Sequence, residues 1–165
     1  MIETVQFKDK SYPAFQTNGN ASRFIMPFAL EVCKGFGVDI GCNRAEWAFP
    51  NALLVDTALE GCEYDAHNLP DLQFDFAFSS HLLEHVSDWT GALNHWGTRL
   101  KKDATLFLYL PHYSQEYWRC WNNRKHINIL TPEMIHDYLE AKGCTNIFVS
   151  GVDLYNSFAV MAQKG

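Results

Sequence analysis

Between Val38 and Val86 the chain repeats one pattern, a short apolar run that breaks on a carboxylate, a glycine or a small polar side chain. Val38-Asp39-Ile40 runs into Gly41-Cys42-Asn43, and Leu53-Leu54-Val55 into Asp56. Tyr64 precedes Asp65-Ala66, and Phe74-Asp75-Phe76-Ala77-Phe78 runs into Ser79-Ser80-His81. Strand-like runs alternating with helical patterns predict an α/β chain with a doubly wound, mainly parallel sheet. In such a sheet the crevice at the carboxyl ends of the strands receives ligands. The polar residues that end these runs are therefore the candidate binding residues.

A length of 165 residues suits one domain, 1–165, with an N-terminal arm and helix over 1–36 and an aromatic insertion over 112–130. An apolar content of 47% excludes a disordered chain. A net charge of −6 argues against a nucleic-acid backbone as the main partner. The five cysteines form no CxxC pair and fit a reducing compartment. The first residues carry Glu3, Lys8, Asp9 and Lys10 and no apolar run, so no signal peptide is expected. No run approaches the roughly 20 apolar residues of a membrane helix. The expectation is a soluble cytoplasmic protein acting on a small molecule, with no nucleic-acid or membrane partner and an undetermined oligomeric state.

Along the chain, Asn20 or Ser22 is expected to cap a helix running to Lys34 and stopped at Gly35, with Pro27 in its opening turn. Only 15 positions separate Gly41 from Asp56, so the first crossover must be short. Nine separate Asp56 from Asp65, fewer than the dozen or so a parallel crossover needs, so a strand at Tyr64 is vestigial or absent. Asp88 is placed to cap a helix carrying Ala92, Leu93, Trp96 and Leu100 on one stripe, with Lys101-Lys102 at its negative end. Ala104–Leu110 reads as a central buried strand ended by Pro111. Thr131-Pro132-Glu133 opens a further helix with Met134, Ile135, Tyr138 and Leu139 inward. Segments 146–150 and 157–162 are linked too briefly to be parallel and are expected to close the chain as an antiparallel hairpin.

The crevice residues narrow the ligand. The dinucleotide fingerprint GxGxxG is missing, since Gly41 is followed by Cys42, Asn43 and Arg44. That cradle serves a pyrophosphate. Its absence beside acids suited to ribose hydroxyls suggests a nucleoside without a diphosphate, and S-adenosylmethionine is the common one.

The strings VDIGCN, LLVD and YDAHNLPDLQFDFAFSSHLLEHV resemble those of class I S-adenosylmethionine-dependent methyltransferases, most closely the type-11-like group whose fourth strand runs into an LEHV segment. The resemblance covers residues 36–112 specifically and 131–162 in pattern. It implies a Rossmann-like methyltransferase sheet with shortened early crossovers. It also implies that Asp39, Gly41 and Asn43 lie beside the methionine part of the cofactor, and that Asp56 takes both ribose hydroxyls. Asp65 and the Ala66 amide would face adenine, while Ser79, Ser80 and His81 would approach the sulfonium. Asn43 and Ala45 stand where the group usually has its second and third glycines.

Methyl transfer to a small-molecule acceptor is the expected activity, with no metal. If the acceptor must lose a proton, His112 is the first candidate base and His81 the second. Tyr113, Tyr117, Trp118 and Trp121 form the expected acceptor wall, with Arg119, Arg124 or Lys125 for a phosphate. These suit a saccharide or nucleotide-sugar, although the same rings could pack as a satellite core. The altered glycines also admit a non-catalytic cofactor-binding partner domain. A third alternative is a zinc hydrolase, because His81-Leu82-Leu83-Glu84-His85 matches H-x-x-E-H with its two histidines one helical turn apart. That chemistry needs a third ligand, which nothing nearby in sequence supplies.

Overall fold

The computed structural model describes residues 2–165. Its frame is a six-stranded sheet built from β3 (Gly37–Ile40), β4 (Leu53–Val55), β5 (Phe74–Ser80), β6 (Leu100–Pro111), β7 (Thr145–Val149) and β8 (Ser157–Gln163). The order is β4-β3-β5-β6-β8-β7. The first four strands are parallel, and β8 runs antiparallel to both β6 and β7. All four residues of β3 are buried, as its central place requires. The C-terminal hairpin forms as expected.

Helices lie on both faces. Ile25, Ala29 and Cys33, from or just after α2 (Ser22–Val32), pack with Phe76, Phe78 and Phe107 on one side. On the other, Leu93 and Trp96 of α3 (Trp89–Arg99) and Ile135 and Leu139 of α4 (Pro132–Ala141) meet Val38, Ile40, Leu108 and Val160. Asp88 caps α3 by accepting from the Gly91 N–H at 2.8 Å, and Thr131 caps α4 through the Met134 N–H at 3.2 Å.

Both early crossovers are short. Between β3 and β4 there is only a 3₁₀ turn at Ala45–Trp47, and between β4 and β5 no helix or strand at all. Asp65 and Asn68 form one isolated bridge, so the strand at Tyr64 is absent. The N-terminal arm is more ordered than its turn-rich sequence implies. It folds as a hairpin of β1 (Thr4–Phe7) and β2 (Lys10–Pro13), followed by the single turn α1 (Ala14–Thr17).

Several local expectations change. Helix α2 begins at Ser22 with no side-chain cap and ends at Val32, so Pro27 lies in its second turn. The proline is exposed there, on the outer face of the helix. Lys101 and Lys102 belong to β6, where Lys101 pairs with Asp75 at 2.7 Å. Met134 is exposed and not inward. The LEHV segment is a single 3₁₀ turn at Leu83–His85, so the H-x-x-E-H residues do not share an α-helix.

Candidate active site

Two adjoining cavities open at the carboxyl ends of β3, β4 and β5, one of about 690 Å³ and one of about 330 Å³. They share Gly41, Asp56, Thr57, Leu82 and His85 and form one cleft.

The smaller end is lined by Asp65, Ala66 and Val86. Asp65 closes an Asx turn by accepting from the His67 N–H at 2.7 Å. The Ala66 carbonyl is held by the buried Trp96 indole at 2.7 Å, which fixes the turn against the core. At the junction, Asp56 accepts from the Asn43 N–H at 2.6 Å through Oδ2 and from the Ala58 N–H at 2.8 Å through Oδ1. Each oxygen keeps a further lone pair for a ligand.

Glycine is obligatory at position 41. Its φ is +86°, and an added Cβ would lie 2.8 Å from Leu82 Cβ. Asn43 has φ +60°, which asparagine tolerates better than most side chains, so the residue in place of a second glycine still permits the loop.

The larger end draws on distant segments. Gln16 through Gly19 come from the arm, Ser80 through His85 from the end of β5, and Trp118 through His126 from the insertion. His81 sits at φ +51°, a costly backbone for a non-glycine residue. Its Nε2 is 2.9 Å from Ser157 Oγ, which itself accepts from Gln16 Nε2 at 2.7 Å. Ser157 Oγ also donates to the Tyr155 carbonyl at 3.4 Å, and the other ring nitrogen of His81, Nδ1, lies 3.5 Å from Glu84 Oε1. Gln16 Oε1 is buried with no partner.

His85 donates through Nδ1 to the Lys125 carbonyl at 2.7 Å, and its Nε2 points to Glu84 Oε1 at 3.8 Å. The insertion is pinned here because the Ile127 and Asn128 N–H groups donate to the Glu84 carbonyl at 2.9 and 3.0 Å. That strap delivers His126, which stacks on Trp118 at a 9° interplanar angle.

Burial dominates the electrostatics. It pushes Glu84 up to about 8, His126 down to about 4, and His81 well below the usual imidazole range. It also raises Asp39 to about 7, against a lowering hydrogen bond from the Phe49 amide.

Of the residues singled out from sequence, Gly41, Asn43, Asp56, Asp65, Ala66, Ser80 and His81 line the cleft. Asp39 and Ser79 lie beneath it. Asp39 accepts from the Phe49 N–H at 2.6 Å and braces the loop after β3, and Ser79 donates to the Ile40 carbonyl at 2.7 Å. His112 lines neighbouring pockets beside Tyr113, with Nδ1 2.7 Å from Ser114 Oγ. Of the four insertion aromatics only Trp118 reaches the cleft. Tyr117 packs on Phe7 and Tyr12 of the arm, and Trp121 is 67% exposed. Gln16 and His126 are not among the sequence candidates and no local pattern marks them, while Glu84 and His85 enter the sequence reading only through the H-x-x-E-H alternative.

The methyltransferase domain family matches residues 18–149. The chain belongs to that family. No curated protein matches it. Among solved structures, a SAM-dependent methyltransferase from Archaeoglobus fulgidus is similar at 17% identity and a TM-score of 0.67, over 91% of this chain and 97% of the other. A SAM-dependent methyltransferase from Thermotoga maritima, described as a possible histamine N-methyltransferase, gives 19% identity and 0.71, over 92% and 95%. The N-methyltransferase NodS of Bradyrhizobium japonicum, bound to S-adenosyl-L-homocysteine, gives 13% and 0.62, over 95% and 89%. The fold is thus that of the S-adenosylmethionine-dependent methyltransferases, as the resemblance implied.

Proposed function

We propose that this chain binds S-adenosylmethionine across the cleft and directs its methyl group to a polar small molecule, with a saccharide or nucleotide-sugar as the acceptor class. One observation carries the reading. Asp56 and Asp65 face a common cavity that continues past Gly41 to Ser80 and His81. Taken from Asp65 through Asp56 to His81, that is the order in which adenine, ribose and sulfonium would be met.

When bound, the cofactor supplies a methyl on a sulfonium, whose thioether leaves readily. The residues of the chain bind and orient. Asp56 offers two acceptors to a diol with two donors. The Asp65 turn meets the adenine edge, and Gly41 lets backbone approach where a side chain would block it. The unpartnered Gln16 Oε1 is an acceptor for an amino group. Orientation and exclusion of water account for most of the rate in such a transfer. The acceptor end is polar, with Asn18, Asn123 and Lys125 around the single aromatic Trp118, which supports a hydroxylated substrate. Of the two candidate bases, His81 lines this end. Five free cysteines fit the expected cytoplasmic setting. Among the described residues no helix is long and apolar enough to cross a membrane.

Calorimetric titration with S-adenosylhomocysteine, followed by transfer of labelled methyl to a panel of sugars and nucleotide-sugars, tests the reading. Saturable binding with turnover supports it. Binding without turnover on any acceptor turns it toward the non-catalytic partner domain, and no binding overturns it.

A further inference from the structure

Glu84 is 1% exposed, and neither of its carboxylate oxygens has a hydrogen-bond partner. A buried carboxyl group with four acceptor sites and no donor is costly unless something else meets it. Three imidazoles surround it. His81 Nδ1 is at 3.5 Å and His85 Nε2 at 3.8 Å, neither aligned as a hydrogen bond. His126 is 4% exposed and its Nδ1 is also unpartnered. One ligand atom from each of Glu84, His85 and His126 falls within 4.8 Å of the others.

We propose that Glu84, His85 and His126 bind a divalent first-row transition ion, zinc in the first instance, whose open positions face the acceptor end of the cleft. Two imidazoles and one carboxylate are a donor set that suits zinc and its neighbours and does not suit magnesium or calcium. Ligands about 2.0–2.2 Å from a tetrahedral ion stand roughly 3.3–3.6 Å apart, so small rotations of the rings close the cluster. The outer contacts are in place. The Lys125 carbonyl holds His85 by Nδ1 and leaves Nε2 as the donor to the ion, while His81 Nδ1 lies 3.5 Å from the same carboxylate. The set is not the histidine pair of the H-x-x-E-H spacing: Glu84 takes the place of His81, and His126, 41 positions beyond His85, is delivered by the strap bonded to the Glu84 carbonyl.

The site is not that of a peptidase, because His81 is turned to Ser157 and the segment is a 3₁₀ turn. Its use lies with the methyl acceptor, so this part rests on the function proposed above. A hydroxyl oxygen of the acceptor coordinates the ion and releases its proton to solvent. That oxygen then forms the bond to the methyl carbon as the sulfur–methyl bond breaks, and the sulfur keeps the bonding pair. No redox change is involved.

The test uses full-length protein stripped with a chelator and titrated separately with zinc and magnesium chlorides, with the metal content counted. Cobalt(II) absorption serves as a second readout. One equivalent of zinc is expected, weakened at least roughly 100-fold in Glu84→Gln and in His126→Phe, which keeps the ring stacked on Trp118. Thermal unfolding shows that both variants are folded, and if one is not, the other decides. No zinc binding, unchanged zinc binding in both variants, or magnesium bound as tightly as zinc overturns the proposal. Titrating the same samples with S-adenosylhomocysteine separates the two readings. Zinc without the nucleoside leaves the ion site standing and removes the proposed transfer, and the nucleoside without zinc removes the ion site alone.

Discussion

The two ends of the cleft are built differently. The end with Asp56, Asp65 and Gly41 is local, since each residue terminates a strand or sits in the turn that follows. The end with His81, Glu84 and His126 is assembled from the segment after β5, the arm and the insertion, and Gln16 of the arm meets Ser157, 141 positions away. A strand-end residue stays in place as long as the sheet forms. A residue delivered by a strap depends on loop hydrogen bonds and can be exchanged without disturbing the sheet. The local end therefore suits an invariant cofactor, and the assembled end suits an acceptor that differs among proteins sharing the fold.

This contrast also governs what could be read from sequence. Both early strands, Gly37–Ile40 and Leu53–Val55, were legible because each apolar run stops abruptly at a glycine or an acid. The missing strand at Tyr64 was legible from chain length alone. His126 was not, because its approach depends on backbone bonds between the Glu84 carbonyl and residues 127 and 128, which no spacing rule encodes. The 3₁₀ turn at Leu83–His85 was also hidden, since its residues are acceptable in an α-helix. The left-handed backbone at His81 breaks the helix before it can begin. Pro27 misled because a proline on an exposed helical face costs less than one facing the core.

The most severe test of the comparison is Asp56→Ala. It removes the two proposed ribose acceptors and the partners of the Asn43 and Ala58 amides. Hydrogen bonds to a charged group contribute about 1.5–3 kcal/mol each, so S-adenosylhomocysteine affinity is expected to fall on the order of 100-fold or more. In contrast, His126→Phe at the assembled end should leave that affinity within about threefold, as for separate sites. Equal losses measured by calorimetry would show that the two ends act as one.

Gly41→Ala comes next. The left-handed φ and the contact with Leu82 together should cost about 2–3 kcal/mol, lowering the melting temperature by roughly 5–10 °C. Asn43→Gly relieves its own left-handed backbone and should shift the melting temperature by no more than about 3 °C. A harmless alanine at 41 would mean that backbone approach is not what the loop provides.

Asp39 offers a smaller, pH-dependent effect. Its folded pKa, about 7, lies above the unfolded carboxyl value, so the folded state binds the extra proton between about pH 4 and 7. The stability contribution is fully present below the unfolded value and is lost as pH rises through 7. It amounts to about 4 kcal/mol at most. Asp39→Asn keeps an acceptor for the Phe49 amide and removes the charge. Denaturant unfolding at pH 5 and pH 8 should show a smaller loss of stability in the variant than in the parent. An unchanged difference would place the burden on other groups.

The smallest effect is expected at His112, the base first suggested by its position after β6. Its ring is half-buried, bonded to Ser114, and opens on pockets that exclude Gly41 and Asp56. His112→Ala should change stability by about 0.5 kcal/mol or less, as at other surface positions, and leave S-adenosylhomocysteine affinity unaltered. The informative quantity is kcat once an acceptor is known. A drop of tenfold or more with unchanged cofactor affinity would mean that the acceptor reaches the methyl from the Tyr113 side. The insertion would then form a second wall of the site, and the assembled end would extend beyond the strap that carries His126. An unchanged kcat keeps the acceptor among His81, Trp118 and Lys125, where the cofactor's reactive end would point.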